Sequence, residues 1–130
     1  MRDDLALVAF LAARMRAPFA WGREANDCVS FAAAAALVQT GRDVLPADVT
    51  WRSARGAGRV LRRLGGLEAA VDAQLPTIAP AKARRGDVAL VETRTGPALM
   101  IFEGAALVGP GPTGLMRRPR ADARKAWSLD

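Results

Sequence analysis

The segment from Cys28 to Val38 is apolar at almost every position, and it constrains the fold more than any other part of the chain. Asn26 or Asp27 offers an N-cap at its start, and Gly41 follows its end. These signals predict a helix, and a helix that is apolar on nearly every side must be surrounded by other elements. The 130 residues are 51% apolar, which is enough for one core. We therefore predict a single domain over residues 1–130, built around this central helix.

Three further helices are expected in the first half of the chain. Asp3 and Asp4 open a helix that should run to about Arg16, where one face carries Leu5, Val8, Ala12 and Met15, with Leu7 and Leu11 beside it. Ser53 caps a helix from Ala54 to Leu64, with its apolar side chains expected to face the core and its arginines to lie outside. A short helix from Leu67 to about Gln74 follows. The loop between the first two helices carries two aromatic residues that we expect to be buried, Phe19 and Trp21.

The second half of the chain has the pattern of a small antiparallel sheet. We expect four strands, at Asp87 to Glu92, Ala98 to Phe102, Ala105 to Val108 and Leu115 to Arg118. Residues 109–114 are rich in glycine and proline and are expected to form a loop, which lacks the lysine of a phosphate-binding loop. Helices followed by antiparallel strands predict an α+β fold.

Two residue counts exclude several classes of function. The chain has one cysteine, Cys28, and no histidine. A disulfide framework, a cysteine- and histidine-rich zinc site, a Ser-His-Asp triad and a Cys-His dyad are therefore excluded, and we expect no metal and no cofactor. No apolar run is long enough to span a bilayer, and Asp3 and Asp4 stand where a signal peptide would carry positive charge.

The net charge of +6 suggests an acidic partner. Arginine accounts for 17 of the 19 basic residues, the others being Lys82 and Lys125, and this bias also arises from GC-rich coding. No aromatic residues alternate with arginine as a base-stacking surface would require, so nucleic acid is not the expected partner. Four arginines with helical spacing form a possible docking face: Arg55, Arg59, Arg62 and Arg63. A solvated helix face is the alternative. A second basic cluster, Arg117 to Lys125, has the same two interpretations.

Several short motifs, in order along nearly the whole chain, together resemble a known family. They are Pro18-Phe-Ala-Trp-Gly22, Asn26-Asp-Cys28, Phe31-Ala-Ala33, Thr40-Gly41, Leu64-Gly-Gly66, Arg85-Gly-Asp-Val88, Gly96-Pro-Ala98 and Trp127. The pattern is similar to that of the NlpC-type cell-wall peptidase superfamily, and most of all to a small branch encoded among the tail genes of phages and gene transfer agents. The resemblance implies a compact papain-like fold, in which a helix beginning at Cys28 packs on a C-terminal antiparallel sheet.

The catalytic pattern of that family is incomplete in this chain. The resemblance implies that Cys28 holds the position of the nucleophile, at a helix start where the dipole favours a thiolate. The positions that match the histidine base are Pro97 and Ala98, and neither accepts a proton. Asp87 and Glu92 are poor replacements, since a carboxylate beside a thiolate raises the pKa of the cysteine. Arg23, the nearest arginine in sequence, cannot return a proton to a leaving amine.

We therefore expect a structural protein without catalytic activity. The resemblance implies a degenerate NlpC-type domain in the tail tip or baseplate of a phage or gene transfer agent, located in the virion tail and bound to other tail-tip or hub proteins. One alternative is a cysteine peptidase or amidase that degrades peptidoglycan during genome entry through Cys28. Another is a basic module that binds nucleic acid or an anionic wall polymer. Trp21 and Phe19 are expected to line a vestigial cleft or to pack in the core, and Trp51 is a candidate interface residue.

Overall fold

Within residues 2–130, which the computed structural model describes, four α-helices precede a six-stranded antiparallel sheet. The helices are α1 (Asp4–Arg14), α2 (Cys28–Thr40), α3 (Ala54–Arg63) and α4 (Leu67–Asp72). The strands are β1 (Thr77–Ile78), β2 (Val88–Thr93), β3 (Gly96–Phe102), β4 (Ala106–Gly111), β5 (Gly114–Pro119) and β6 (Lys125–Trp127), in the sheet order β1-β6-β2-β3-β4-β5. The predicted α+β class is confirmed.

The central helix α2 forms because its signals are local and strong. Asp27 and Ser30 make a reciprocal capping box at its start, and Gly41 ends it in the left-handed conformation, at a φ of 74°. Phe31 and Ala35 are completely buried. The helix packs on one face of the sheet, against side chains such as Leu90 and Ile101.

The central strand β2 is buried on both faces, which explains its continuous apolar sequence. Val88 and Leu90 face α2, whereas Ala89 and Val91 join a second cluster on the opposite face, with Met100, Phe102, Leu107 and Ala126. Burial on both sides removes the apolar–polar alternation that a half-exposed strand shows. The sheet thus divides the core into two layers, and α2 with its neighbours covers only one of them.

The face of α1 that contacts the core is not the one with the larger number of apolar positions. Leu7 and Leu11 are the buried residues of α1, whereas Leu5 is 83% exposed. Val8 and Met15 are also exposed. The helix ends at Arg14 rather than at the predicted Arg16.

Three other expectations about the fold are wrong. Phe19 and Trp21 are not buried but 36% and 47% exposed, with their rings in edge-to-face contact. Residues 109–114 form the end of β4, a two-residue turn and the start of β5 instead of a loop. The short strands β1 and β6, which pair with each other at one end of the sheet, were not predicted.

No helix within residues 2–130 is both long and apolar enough to cross a bilayer.

Candidate functional site

Cys28 is the first residue of α2, and two side chains just before it fix its position. Asn26 donates hydrogen bonds to the carbonyls of Ala17 (3.3 Å) and Pro18 (2.9 Å) and accepts one from Arg14 (2.8 Å). Asp27 caps the helix by accepting the backbone N–H of Ser30 at 2.9 Å. Cys28 itself is half-buried. The sequence therefore holds this thiol at a defined place, at the N-terminus of a rigid helix.

The carboxylate of Asp27 is buried and fully engaged in structural hydrogen bonds. One oxygen caps α2, and the other accepts the backbone N–H of Gly22 at 2.9 Å. The same second oxygen also accepts the indole N–H of Trp51 at 2.7 Å. Trp51 is only 6% exposed, so it is a core residue and not the exposed interface residue considered from the sequence. Asp27 thus stabilises the site and is not a free proton acceptor for Cys28.

The Cys28 thiol is held in its neutral form. Burial and, to a smaller extent, the negative charge of Asp27 raise the pKa of this thiol to about 11. The backbone N–H of Leu99 and the amides of the first helical turn lower the pKa, but they do not offset the loss of solvation. The favourable helix position expected from the sequence is present and is outweighed by burial.

A cavity of about 170 Å³ adjoins Cys28. Its walls come from α2, α3, α4, the loop before α3 and the start of β3, and they include Val29, Val44, Val49, Leu61, Leu64, Val71, Pro97 and Leu99. Asp27 and Cys28 are its titratable lining residues. Trp21 also lines it, whereas Phe19 does not. A cavity this apolar favours apolar groups and gives poor solvation to a charged intermediate.

The two positions aligned with the missing histidine lie on different faces of β3. Pro97 lines the same cavity as Cys28, together with Leu99. Ala98 packs against the second cluster on the opposite face of the sheet. Of the two positions, only Pro97 thus lies on the side of the sheet that faces the cavity and Cys28.

Neither carboxylate considered as a substitute base is available to Cys28. Asp87 is buried and accepts the backbone N–H groups of Arg84 (2.7 Å) and Leu129 (3.2 Å), and it pairs with Arg2 at 2.6 Å. Glu92 is exposed and pairs with Arg124 at 2.8 Å. Both carboxylates have structural or surface roles.

Arg23 is likewise committed to the loop before α3. Its guanidinium donates to the carbonyls of Pro46 (2.6 Å) and Val49 and pairs with Asp43 at 3.5 Å. This arrangement holds the loop that forms one cavity wall.

Among residues 2–130, no three acidic or cysteine side chains cluster in a way that suits a metal ion.

The two basic clusters differ in how their charges are compensated. In the C-terminal cluster, Arg117 pairs with Glu103, Arg118 with Asp122, and Lys125 with Glu68 and Asp72. The four arginines on α3, namely Arg55, Arg59, Arg62 and Arg63, are all exposed, and the ion pairs found within residues 2–130 include none of them. Of the two clusters, the one on α3 is therefore the one whose charges have no internal ion pair in this part of the chain.

Comparison with known proteins places the chain in a family. The model of the family described as a domain of unknown function, DUF6950, matches residues 1–129. The chain belongs to this family. Among solved structures, the DUF6950 chain is similar to the crystal structure of the NlpC/p60 domain of the peptidoglycan hydrolase SagA, with a TM-score of 0.62 at 19% identity. The match covers 97% of this chain and 98% of that one, which confirms the NlpC-like, papain-like fold. No curated protein matches the chain.

Proposed function

We propose that this DUF6950 chain is a non-catalytic domain with an NlpC-like fold that binds other proteins. One observation carries the proposal: the cavity at the nucleophile position contains no group able to take a proton from Cys28. The chain has no histidine, and Asp27 is engaged by three donors. Pro97 lines the cavity near the thiol but offers no proton acceptor. A thiol with a pKa of about 11 and no base is a poor nucleophile at neutral pH.

We further propose that the chain is a structural component of a phage or gene-transfer-agent tail tip or baseplate, where it binds other tail-tip or hub proteins. This part of the proposal rests on the resemblance of its motifs to the tail-encoded branch of the superfamily. The uncompensated arginines of α3 support a protein-binding role, because exposed charge without an internal partner is available to a second molecule.

A cysteine hydrolase acting on peptidoglycan is the second candidate. The observation that favours it is the position of Cys28, at the start of the central helix beside a cavity in an NlpC/p60-like fold. A basic module for nucleic acid or an anionic wall polymer is the third candidate, and the net charge of +6 is its support.

Incubation of the purified chain with muropeptides tests the first candidate against the second. An active NlpC/p60 hydrolase serves as positive control, and products are separated by chromatography. We expect no product above background from the chain or from Cys28→Ser. Turnover that disappears in Cys28→Ser would establish the hydrolase instead.

For the tail assignment, the chain is mixed with the proteins encoded beside it and analysed by size-exclusion chromatography. Co-elution with a tail protein is expected, and separate elution from all of them would contradict the assignment.

A further inference from the structure

The helix α1 is apolar all round, but the fold buries only part of it. From its second to its tenth residue it contains no polar or charged side chain. Leu7 and Leu11 pack in the core. The outward side of α1 carries a stripe of apolar side chains that are each more than half exposed, namely Leu5, Val8 and Met15. A helix that is apolar all round is normally buried all round, so this stripe is unusual for a solvated surface.

The other two helices at the surface do not share this property. The exposed side of α3 carries arginines, and α4 contains Glu68 and Asp72. Single exposed apolar residues are ordinary, whereas a contiguous apolar stripe indicates an interaction surface. The outward side of α1 is therefore the surface of the helical layer that most needs a partner.

We propose that the outward side of α1 binds a second copy of this chain, with the two α1 helices antiparallel about a two-fold axis. This inference goes beyond the proposed function, because the partner is not another tail protein. The axis passes level with Phe10, so residues equally far from Phe10 on its two sides face each other across the interface. Such a two-fold interface uses the same surface of both copies, which must therefore be complementary to itself.

The charges at the two ends of the stripe are complementary to themselves in this arrangement. Asp4 lies six residues before Phe10, and Arg16 lies six residues after it, in the turn that follows α1. Each aspartate thus faces the arginine of the other copy. Both side chains are exposed, and the ion pairs found among residues 2–130 include neither of them. A parallel arrangement would place like charges together at both ends, which disfavours it.

The apolar residues of the stripe match in the same way. Leu5 faces Met15 of the other copy, five positions on each side of Phe10. Val8 faces Ala12, which is also exposed, two positions on each side. A larger side chain opposite alanine lets the helix axes approach to about 8–10 Å. Removal of this apolar surface from water is the driving force for association.

Other occupants fit the charges of α1 less well. A helix that lies on a membrane carries lysine or arginine along its polar side. The side of α1 away from the stripe is instead packed in the core, and Asp3 and Asp4 at its start would face the anionic headgroups. A partner surface of one charge sign would be repelled by either Asp4 or Arg16. A second, antiparallel copy satisfies both.

The size of the interface sets the expected affinity. One pair of short helices buries well below the roughly 1,600 Å² of a standard interface. Two chains with a net charge of +6 also repel each other at long range. We therefore expect a reversible dimer with a dissociation constant of roughly 10–300 µM.

Sedimentation equilibrium of the full chain tests the dimer. At about 0.15 M salt the Debye length of about 8 Å limits the repulsion between copies. As the concentration rises from about 5 to about 500 µM, the average mass should increase from 13.7 kDa towards twice that value. Val8→Glu places a charge in the apolar contact and should keep the chain monomeric. The control Ala47→Glu adds the same charge at an exposed residue outside α1 and should associate like the unaltered chain.

Exchange of the two end charges tests the antiparallel arrangement. Asp4→Arg places two arginines together at each end and should raise the dissociation constant about tenfold. Asp4→Arg combined with Arg16→Asp restores opposite charges and should return the constant to within about threefold of the original. The control Asp48→Arg makes the same charge change at an exposed residue outside α1 and should have little effect. Circular dichroism and thermal melting verify that each variant is folded.

Three results would overturn the inference. The first is a mass of 13.7 kDa at every concentration. The second is association that survives Val8→Glu, and the third is a folded double-exchange variant that associates no better than Asp4→Arg. None of them bears on the non-catalytic proposal, because hydrolysis of muropeptides is measured separately. Co-elution with a tail protein that is lost in Val8→Glu, with no self-association, would assign the stripe to that protein and would also overturn the inference.

Discussion

The indole nitrogen of Trp51 lies 2.7 Å from the carboxylate of Asp27, and both side chains are buried. This hydrogen bond joins the loop before α3 to the N-terminus of α2, next to Cys28. The residues that shape the cavity therefore depend on a contact between chain segments that are 24 positions apart.

Removing that donor should destabilise the protein. Trp51→Phe leaves one oxygen of a buried carboxylate without its indole partner and loses packing volume, so we expect the free energy of unfolding to fall by about 2 kcal/mol or more. Trp21→Phe is the matched control, since Trp21 is exposed, and it should change stability by less than about 0.5 kcal/mol. Urea unfolding measures both, and equal losses would contradict the assigned role of Trp51.

The two leucines at the start of α1 should differ sharply in their contribution to stability. Leu7 is completely buried and Leu5 is 83% exposed. Leu7→Ala is expected to cost about 2–5 kcal/mol, because it removes buried methyl groups and leaves a cavity. Leu5→Ala should cost less than about 0.5 kcal/mol. Thermal or urea denaturation measures the stability of both variants. A larger loss of stability for Leu5→Ala would contradict the assignment of Leu7, and not Leu5, to the buried face of α1.

The alkylation rate of Cys28 should follow an unusually alkaline titration. Burial favours the neutral thiol and raises its pKa to about 11, so the reactive thiolate increases through pH 11 instead of near pH 8.5. At pH 8 only on the order of one molecule in a thousand carries the thiolate. Iodoacetamide labelling against pH measures the profile, and the urea-unfolded chain, with an ordinary thiol pKa, is the reference. A plateau of the native rate below pH 9 would contradict the prediction.

Introducing a histidine at β3 should reveal which position faces the thiol. Pro97→His adds an imidazole to the wall of the cavity that Cys28 adjoins, and an imidazolium there stabilises the thiolate. We expect the Cys28 pKa to fall by about one unit or more. Ala98→His adds the same group on the opposite face and should leave that pKa nearly unchanged. The labelling profile distinguishes the two variants, and a larger decrease for Ala98→His would reverse the assignment of faces.

Local signals in the sequence were sufficient to predict the core of the fold. The cap at Asp27, the apolar run after it and Gly41 define α2 without any tertiary information. The apolar residues from Val88 to Val91 likewise predict a strand. The resemblance identifies Cys28 as the position of the nucleophile, and the absence of histidine follows from the sequence itself.

Other features depend on contacts that a sequence pattern does not contain. In α1, two apolar stripes compete, and only the packing on α2 and the sheet determines that Leu7 and Leu11 are buried. The prolines at and near Pro110 favour a loop in the sequence pattern. In the structure, β4 continues through Pro110, but it pairs with β3 only at Leu107 and Val108. Pro110 therefore pairs on the β5 side alone, where a strand tolerates proline. The hydrogen bond between Trp51 and Asp27 is only partly predictable from the sequence. A buried indole N–H needs an acceptor, but the sequence pattern does not identify Asp27 as that acceptor.

The position of β6 in the sheet has a consequence for how the chain folds during synthesis. Residues 125–127 lie between β1 and β2, and Thr77 pairs with Trp127. On the ribosome, β1 and one edge of β2 must wait for this late segment, while the apolar surface of α2 has already emerged. Non-local pairing of this kind slows folding and leaves nascent chains prone to aggregation. The cooperative folding step therefore follows the synthesis of Trp127, and a nascent chain that stalls before it exposes an incomplete sheet.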